Sequence, residues 1–234
     1  MSKLFHGSNL IINYPDLRSG KVHNDFGQGF YCTEDANLAA EWACKNNMSG
    51  YVNAYDFDVS NLKVLDLMDG NYTVLNWITL LIENRIFDKS SELGVEICNY
   101  LTENFSIDIS SYDVIIGYRA DDSYFSYADS WLNSSLSLES LSSALYLGRL
   151  GEQIVLKSEK AFKKLHFASA FSAEKNIYYP KFVARDIEAR NKYKDIISEG
   201  AAGSEGIFAL DIIRRKVKPS DSCLQQFILK RCEK

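Results

Sequence analysis

Short strand-like runs fall into two groups, one at each end of the first 170 residues, with apolar helical stretches between them. Strands gathered in this way specify an α+β fold. The early group has an apolar run at 3–5 stopped by His6-Gly7-Ser8, a run at 29–33, an alternating stretch at 51–59 and another at 62–67. The late group has residues 112–117, with Val114-Ile115-Ile116 reading as a fully buried strand, then 152–157 and 165–167. Apolar residues at helical spacing predict helices over 72–86, 91–104, 122–133 and 137–147, a helical turn at 160–164, and an alanine-rich helix capped by Thr33 and running to 46. Asp121 or Asp122 is read as the N-cap of the helix after the 112–117 strand.

The character of the chain changes near residue 170. Residues 173–198 are charged and helix-prone, with an expected interruption at Pro180. Residues 200–206 are small, and 207–232 read as one or two helices carrying Arg214-Arg215-Lys216, a solvated basic face. The expected organisation is a domain over 1–170 and a helical C-terminal extension over 171–234.

Composition excludes several classes. Of 234 residues, 46% are apolar and 13% aromatic, enough for a core and a lined pocket, so a disordered chain is excluded. Net charge is −5, against non-specific nucleic-acid binding, although the residues from Lys181 onward carry a basic surplus. No apolar stretch is long enough to span a membrane and no secretory signal opens the chain, so a cytoplasmic protein is expected. Cys32, Cys44, Cys98, Cys223 and Cys232 are odd in number and widely spaced, which favours buried free thiols over disulfides or a zinc site.

Known catalytic motifs are mostly missing. The three histidines, His6, His23 and His166, form no metal-binding pattern, and no metal is expected. There is no phosphate loop, and no GxSxG. The Gly27-Gln28-Gly29 run precedes a strand rather than a helix, unlike a dinucleotide-binding fold. Four local features remain: His6-Gly7-Ser8 ending the first strand, Phe26-Gly27-Gln28-Gly29-Phe30-Tyr31 leading into the second, Trp42 eleven residues after Tyr31, and Glu152-Gln153-Ile154-Val155-Leu156 opening a late strand.

In this order and spacing these features resemble the ADP-ribosyltransferase superfamily, in its His-Tyr-Glu branch, with Trp42 standing where a tyrosine is usual. More closely, residues 3–167 look like a bacterial family of originally unknown function, placed in that superfamily and often encoded in toxin–antitoxin pairs. The shared stretches are Leu4-Phe5-His6-Gly7-Ser8, Asp25 to Tyr31, Tyr112 to Gly117 with Ala120-Asp121-Asp122, and Gln153 to Leu156. The resemblance implies split antiparallel β-sheets with flanking helices and NAD as co-substrate in the cleft between the sheets. It implies a mono-ADP-ribosyltransferase acting on a macromolecular acceptor, a protein being favoured over nucleic acid, and a bacterial toxin role with a cognate antitoxin.

The chemistry suits the residue types. Cleavage between nicotinamide and ribose passes through an oxocarbenium-like state, which a carboxylate stabilises by a few kcal/mol. Glu152 is the expected catalytic carboxylate, with His6 and Tyr31 as its catalytic partners. Gln153 points to the opposite face of the strand, and the resembling family presents Gln here, so either residue could face the site. Tyr31 and Trp42 would sandwich nicotinamide, and Gly7 and Gly29 would let backbone approach the ligand. His6 and Ser8 would bind ribose, and Arg119 the pyrophosphate; Arg18 and Lys21 are further phosphate candidates. Two rival readings are a non-catalytic, partner-binding member of the fold and an NAD glycohydrolase that passes the ribosyl group to water.

Overall fold

The computed structural model describes residues 1–87, 92–120, 122–147, 151–200 and 206–231. The fold is α+β, with two sheets and several helices. The first sheet has the order β1 (Ser2–Ser8), β3 (Gly50–Phe57), β7 (Leu165–Ala173) and is antiparallel throughout. The second has the order β2 (Phe30–Cys32), β6 (Glu152–Leu156), β5 (Val114–Tyr118), β4 (Val64–Asp66). Its β4–β5 pair is parallel, which departs from the expected purely antiparallel sheets. The chain between β4 and β5 is long enough for α2 (Val74–Asn84) and α3 (Glu92–Phe105), the crossover that a parallel pair needs.

The sheets meet face to face. Leu4, Tyr55, Phe57 and Leu165 of the first pack on Phe30, Cys32, Val114, Ile154 and Leu156 of the second. Main-chain bonds between Phe5 and Thr33, 2.8 and 2.9 Å long, stitch them together at one edge. The far face of the four-stranded sheet, with Ile115 and Val155, carries the larger core: α2, α3, α4 (Asp122–Leu132) and α5 (Leu138–Leu147). Helix α2 is apolar nearly all round because it is buried nearly all round. Trp77 lies at its centre and donates to the Tyr118 carbonyl at 3.1 Å. The outer face of the three-stranded sheet, with Phe5 and Val52, carries α1 (Ala36–Cys44) and the start of α7 (Lys175–Gly200).

Several boundaries differ from the sequence reading. The cap of α1 is Asp35, whose carboxylate accepts from Asn37 and Leu38 N–H groups; Thr33 is held instead in the inter-sheet bridge. Strand β7 runs to Ala173, six residues beyond the expected 167, because β3 supplies a partner for its small residues across a bulge at Ala54/Tyr55. It therefore crosses the expected boundary at 170. Helix α7 continues through Pro180. The proline forfeits one backbone bond, but Tyr178 and Tyr179 pack on the α1 cluster just before it and Arg185 is ion-paired just after.

The chain after β7 shares the main core. Ala189 of α7, Ala209 and Ile212 of α8 (Ala209–Arg214), and Val217, Leu224, Phe227 and Leu229 are all buried in the cluster built on α2. Arg214, Arg215 and Lys216 are exposed. Cys32, Cys44 and Cys98 are buried free thiols and Cys223 is a partly buried one. Cys232 and the expected cap Asp121 lie outside the described residues. Among the described residues no helix is long and apolar enough to cross a membrane.

Candidate functional site

A cleft of about 820 Å³ opens where the two sheets diverge, a size suited to a cofactor-scale ligand. Strand β1 brings His6 and Gly7 to it, β2 brings Phe30 and Tyr31, and β6 brings Gln153. Helix α1 adds Trp42, and Lys45 follows at its C-terminal cap. The turn after β5 adds Arg119, and the end of α2 adds Arg85. The long β1–β2 connection contributes Lys21, His23 and Asp25, and α7 closes one side with Phe182, Asp186 and Arg190.

His6 is fixed on both sides. Its ring stacks on Phe30 with centroids 4.4 Å apart. Its Nδ1 lies 2.7 Å from the Tyr31 carbonyl oxygen. A carbonyl only accepts, so Nδ1 carries the proton and Nε2 is left with a lone pair. Burial lowers the pKa of the ring below its ordinary value, with Lys45 acting in the same sense, so the ring is neutral at pH 7.

Tyr31 is anchored by its hydroxyl, which donates to the Gly27 carbonyl (2.7 Å) and accepts from Phe26 N–H (3.0 Å). Burial pushes that phenol well above its usual range, so it stays protonated and serves as a ring on the wall rather than a base. Trp42 has the Arg119 guanidinium over its ring at 5.0 Å, a cation–π contact.

The cleft lining, which includes Gln153 and not Glu152, separates the two residues. Tyr31 lies directly opposite Val155, and opposed residues in an antiparallel pair share a face. Gln153, two residues from Val155, is on that face; Glu152 is on the other. Gln153 is buried in the cleft wall. Glu152 does not line the cleft and pairs with Arg231 at 3.3 Å, and Arg231 also meets Asp66 at 2.6 Å. The expectation of a cleft carboxylate at 152 is therefore corrected to an amide at 153.

Of the expected ligand residues at the end of β1, Ser8 has different employment and Gly7 has a second one. The Ser8 hydroxyl donates to the Leu10 carbonyl and accepts from the Leu10 N–H, closing a turn outside the cleft lining. Gly7 lines the cleft, but its missing side chain matters to packing: a Cβ there would meet Ala39 O at 1.8 Å. Gly29 also lines the cleft, backed by β6. Lys21 and Arg119 line it, and Arg18 does not. His166 is exposed on β7.

The sequence reading missed the buried acid at the floor. Asp25 accepts from Arg85 Nη1 at 3.1 Å, Ala120 N–H at 2.9 Å and Gln153 Nε2 at 2.9 Å. Burial pushes its carboxyl up, while Arg85 and the two N–H donors pull it down. All three partners are donors, so the carboxylate is the form that satisfies them. It also missed the α7 wall, although Phe182, Asp186 and Arg190 recur every four residues on one helix face. The charged lining is Lys21, Lys45, Arg85, Arg119 and Arg190 against Asp16, Asp25 and Asp186, a small basic surplus in a protein that is acidic overall, which favours an anion in the cleft.

Helix α7 is clamped in place by Arg185, whose Nε and Nη2 each lie 2.9 Å from a Glu41 carboxylate oxygen on α1. Glu41 is almost fully buried. Replacing Arg185 with Met strands that charge and is expected to cost about 3 kcal/mol, the lower end for removing one partner of a buried ion pair, because Arg185 is itself 28% exposed. Thermal unfolding measures the loss, and faster proteolysis within 175–200 would place it at α7.

An α+β fold with a basic, aromatic-walled cleft between two sheets is the class of protein these features define. The chain belongs to the family described as a protein of unknown function, DUF3990, whose profile matches residues 2–167. No curated protein and no solved structure matches the chain. Among the described residues no cluster of His, Cys, Asp and Glu is arranged to hold a metal ion.

Proposed function

We propose that the cleft binds NAD and that the protein is a mono-ADP-ribosyltransferase, its two sheets arranged as in the ADP-ribosyltransferase superfamily. The observation that carries this reading is His6. It is a neutral imidazole with a fixed tautomer, presenting Nε2 as an acceptor for a ribose hydroxyl in a basic cleft of cofactor size. Tyr31 and Trp42 offer aromatic walls for nicotinamide, and Arg119 and Lys21 offer cations for the pyrophosphate.

In the reaction the bond between ribose C1′ and the nicotinamide nitrogen breaks. Its electron pair leaves with nicotinamide, whose ring becomes neutral. The acceptor's nucleophile bonds to C1′ and releases a proton. His6 and Gln153 hold the ribose while charge develops, and the buried Asp25 supplies negative potential from behind Gln153. The acidic net charge favours a protein acceptor over nucleic acid.

The ion pair of Glu152 with Arg231 supports a second reading, a member of the fold that binds NAD without turning it over. Nicotinamide release from NAD, with labelled NAD in lysate, separates the readings. Release with a labelled macromolecule is the expected result. Free ADP-ribose without label would mark a glycohydrolase, and binding without release the non-catalytic reading. His6→Ala is expected to reduce release about tenfold or more. Glu152→Gln is expected to leave it unchanged. Absence of NAD binding by the wild type would overturn the proposal.

A further inference from the structure

Gln153 is only 3% exposed, yet it lines the cleft. Its Nε2 donates to Asp25 Oδ2 at 2.9 Å and, more weakly, to the Tyr118 carbonyl at 3.4 Å. A carboxylate and a main-chain carbonyl are both acceptors, so chemistry fixes which way the amide is turned. Its two hydrogens are committed to the protein. Oε1 accepts no hydrogen bond from the described residues and is what Gln153 has to offer a ligand.

Asp25 is in turn immobilised by the Ala120 N–H and by Arg85, which also donates to the Ala120 carbonyl at 2.6 Å. The connection before β2, the end of α2, the turn after β5, and β6 therefore converge on one carboxylate. Its charge polarises the Gln153 amide and raises the electron density on Oε1, as in any chain of hydrogen bonds in a low-dielectric site.

We propose that Asp25 is a positioning residue that holds Gln153 with Oε1 turned to the cleft, where it accepts a hydrogen bond from a ribose hydroxyl of the nucleotide. This rests on the NAD reading above. It assigns the negative charge of the site to a residue one hydrogen bond behind the ligand.

The test compares wild type, Asp25→Asn and the swap Asp25→Asn/Gln153→Glu. NAD affinity is measured by calorimetry and turnover by nicotinamide release, with thermal unfolding as a check on folding. Asp25→Asn removes the charge behind the amide and turns Nδ2 toward a donor, either Arg85 or the Ala120 N–H and Gln153 pair, which loosens the hold on Gln153; NAD affinity is expected to fall about tenfold. The swap moves the carboxylate to 153 and lets Asn at 25 donate to it. Affinity is expected to return to within about threefold of wild type. Release is expected to rise about tenfold or more, because a full charge now faces C1′.

Wild-type affinity in a folded Asp25→Asn protein would overturn the inference alone, as would a swap that leaves the defect in place. If Asp25→Asn does not fold, the swap decides by the same criterion. Failure of the wild type to bind NAD would overturn the functional reading and this inference with it.

Discussion

Arg85→Met is expected to lose about 3–5 kcal/mol of stability at pH 7, the usual cost of removing one partner of a buried ion pair. The Asp25 side chain is 4% exposed and Arg85 20%, and they meet at 3.1 Å. Methionine keeps much of the aliphatic stem's packing, so the loss measures the uncompensated carboxylate.

The loss has a pH signature. Burial already raises the native pKa of Asp25 above its ordinary value, and removing Arg85 takes away the largest opposing pull. An acid whose pKa is higher in the folded than in the unfolded state binds more protons when folded. Stability is therefore greatest below the unfolded value of 3.8 and falls as pH rises through the native one. The gap between Arg85→Met and wild type should be widest at neutral pH and narrow in acid. Urea unfolding at a series of pH values reads this directly. An equal gap at every pH would show that Arg85 acts through packing alone.

What could be read from the sequence was local. Val114-Ile115-Ile116 is apolar without alternation because the strand is covered on both faces, and it falls in β5. The apolar stretch around Trp77 reads as a helix because its burial is nearly complete. His6, Tyr31, Trp42 and Arg119 were accessible because each stands in or beside a short motif, and the cleft brings all four together.

What escaped was set by long-range pairing. The last residues of β7, Ala168-Ser169-Ala170-Phe171-Ser172, lack a strand's apolar alternation and are strand because β3 lies beside them. Asp25 and Arg85 are far apart in sequence, and nothing local says that they meet. The choice between Glu152 and Gln153 turned on a one-residue register, the quantity that flips every side chain to the other face. The pairing of Tyr31 with Val155 puts Gln153 on the helix-covered face, and the cleft at the end of β6 reaches that side chain and not Glu152.

Gly7→Ala is expected to destabilise the protein by about 3 kcal/mol, the upper part of the range for overpacking. Its position beside His6 suggests a glycine that lets a ligand approach the backbone, and the packing gives it a further duty. A Cβ at residue 7 would lie 1.8 Å from Ala39 O and 2.7 Å from Ala43 N. Both are backbone atoms of α1, which cannot swing aside as a long side chain could. The helix would have to move off β1, and it carries Trp42 and Lys45 into the cleft and Glu41 to Arg185. Ligand binding would then fail as a consequence of the fold. Gly70→Ala provides the comparison. Gly70 has a positive φ of 93° and nothing within 4 Å of its virtual Cβ, so only backbone strain opposes the change, about 1–2 kcal/mol. Thermal unfolding of the two variants separates the cases. A Gly7→Ala protein as stable as wild type but unable to bind NAD would return the glycine to the ligand; a large loss of stability ties it to the seam between β1 and α1.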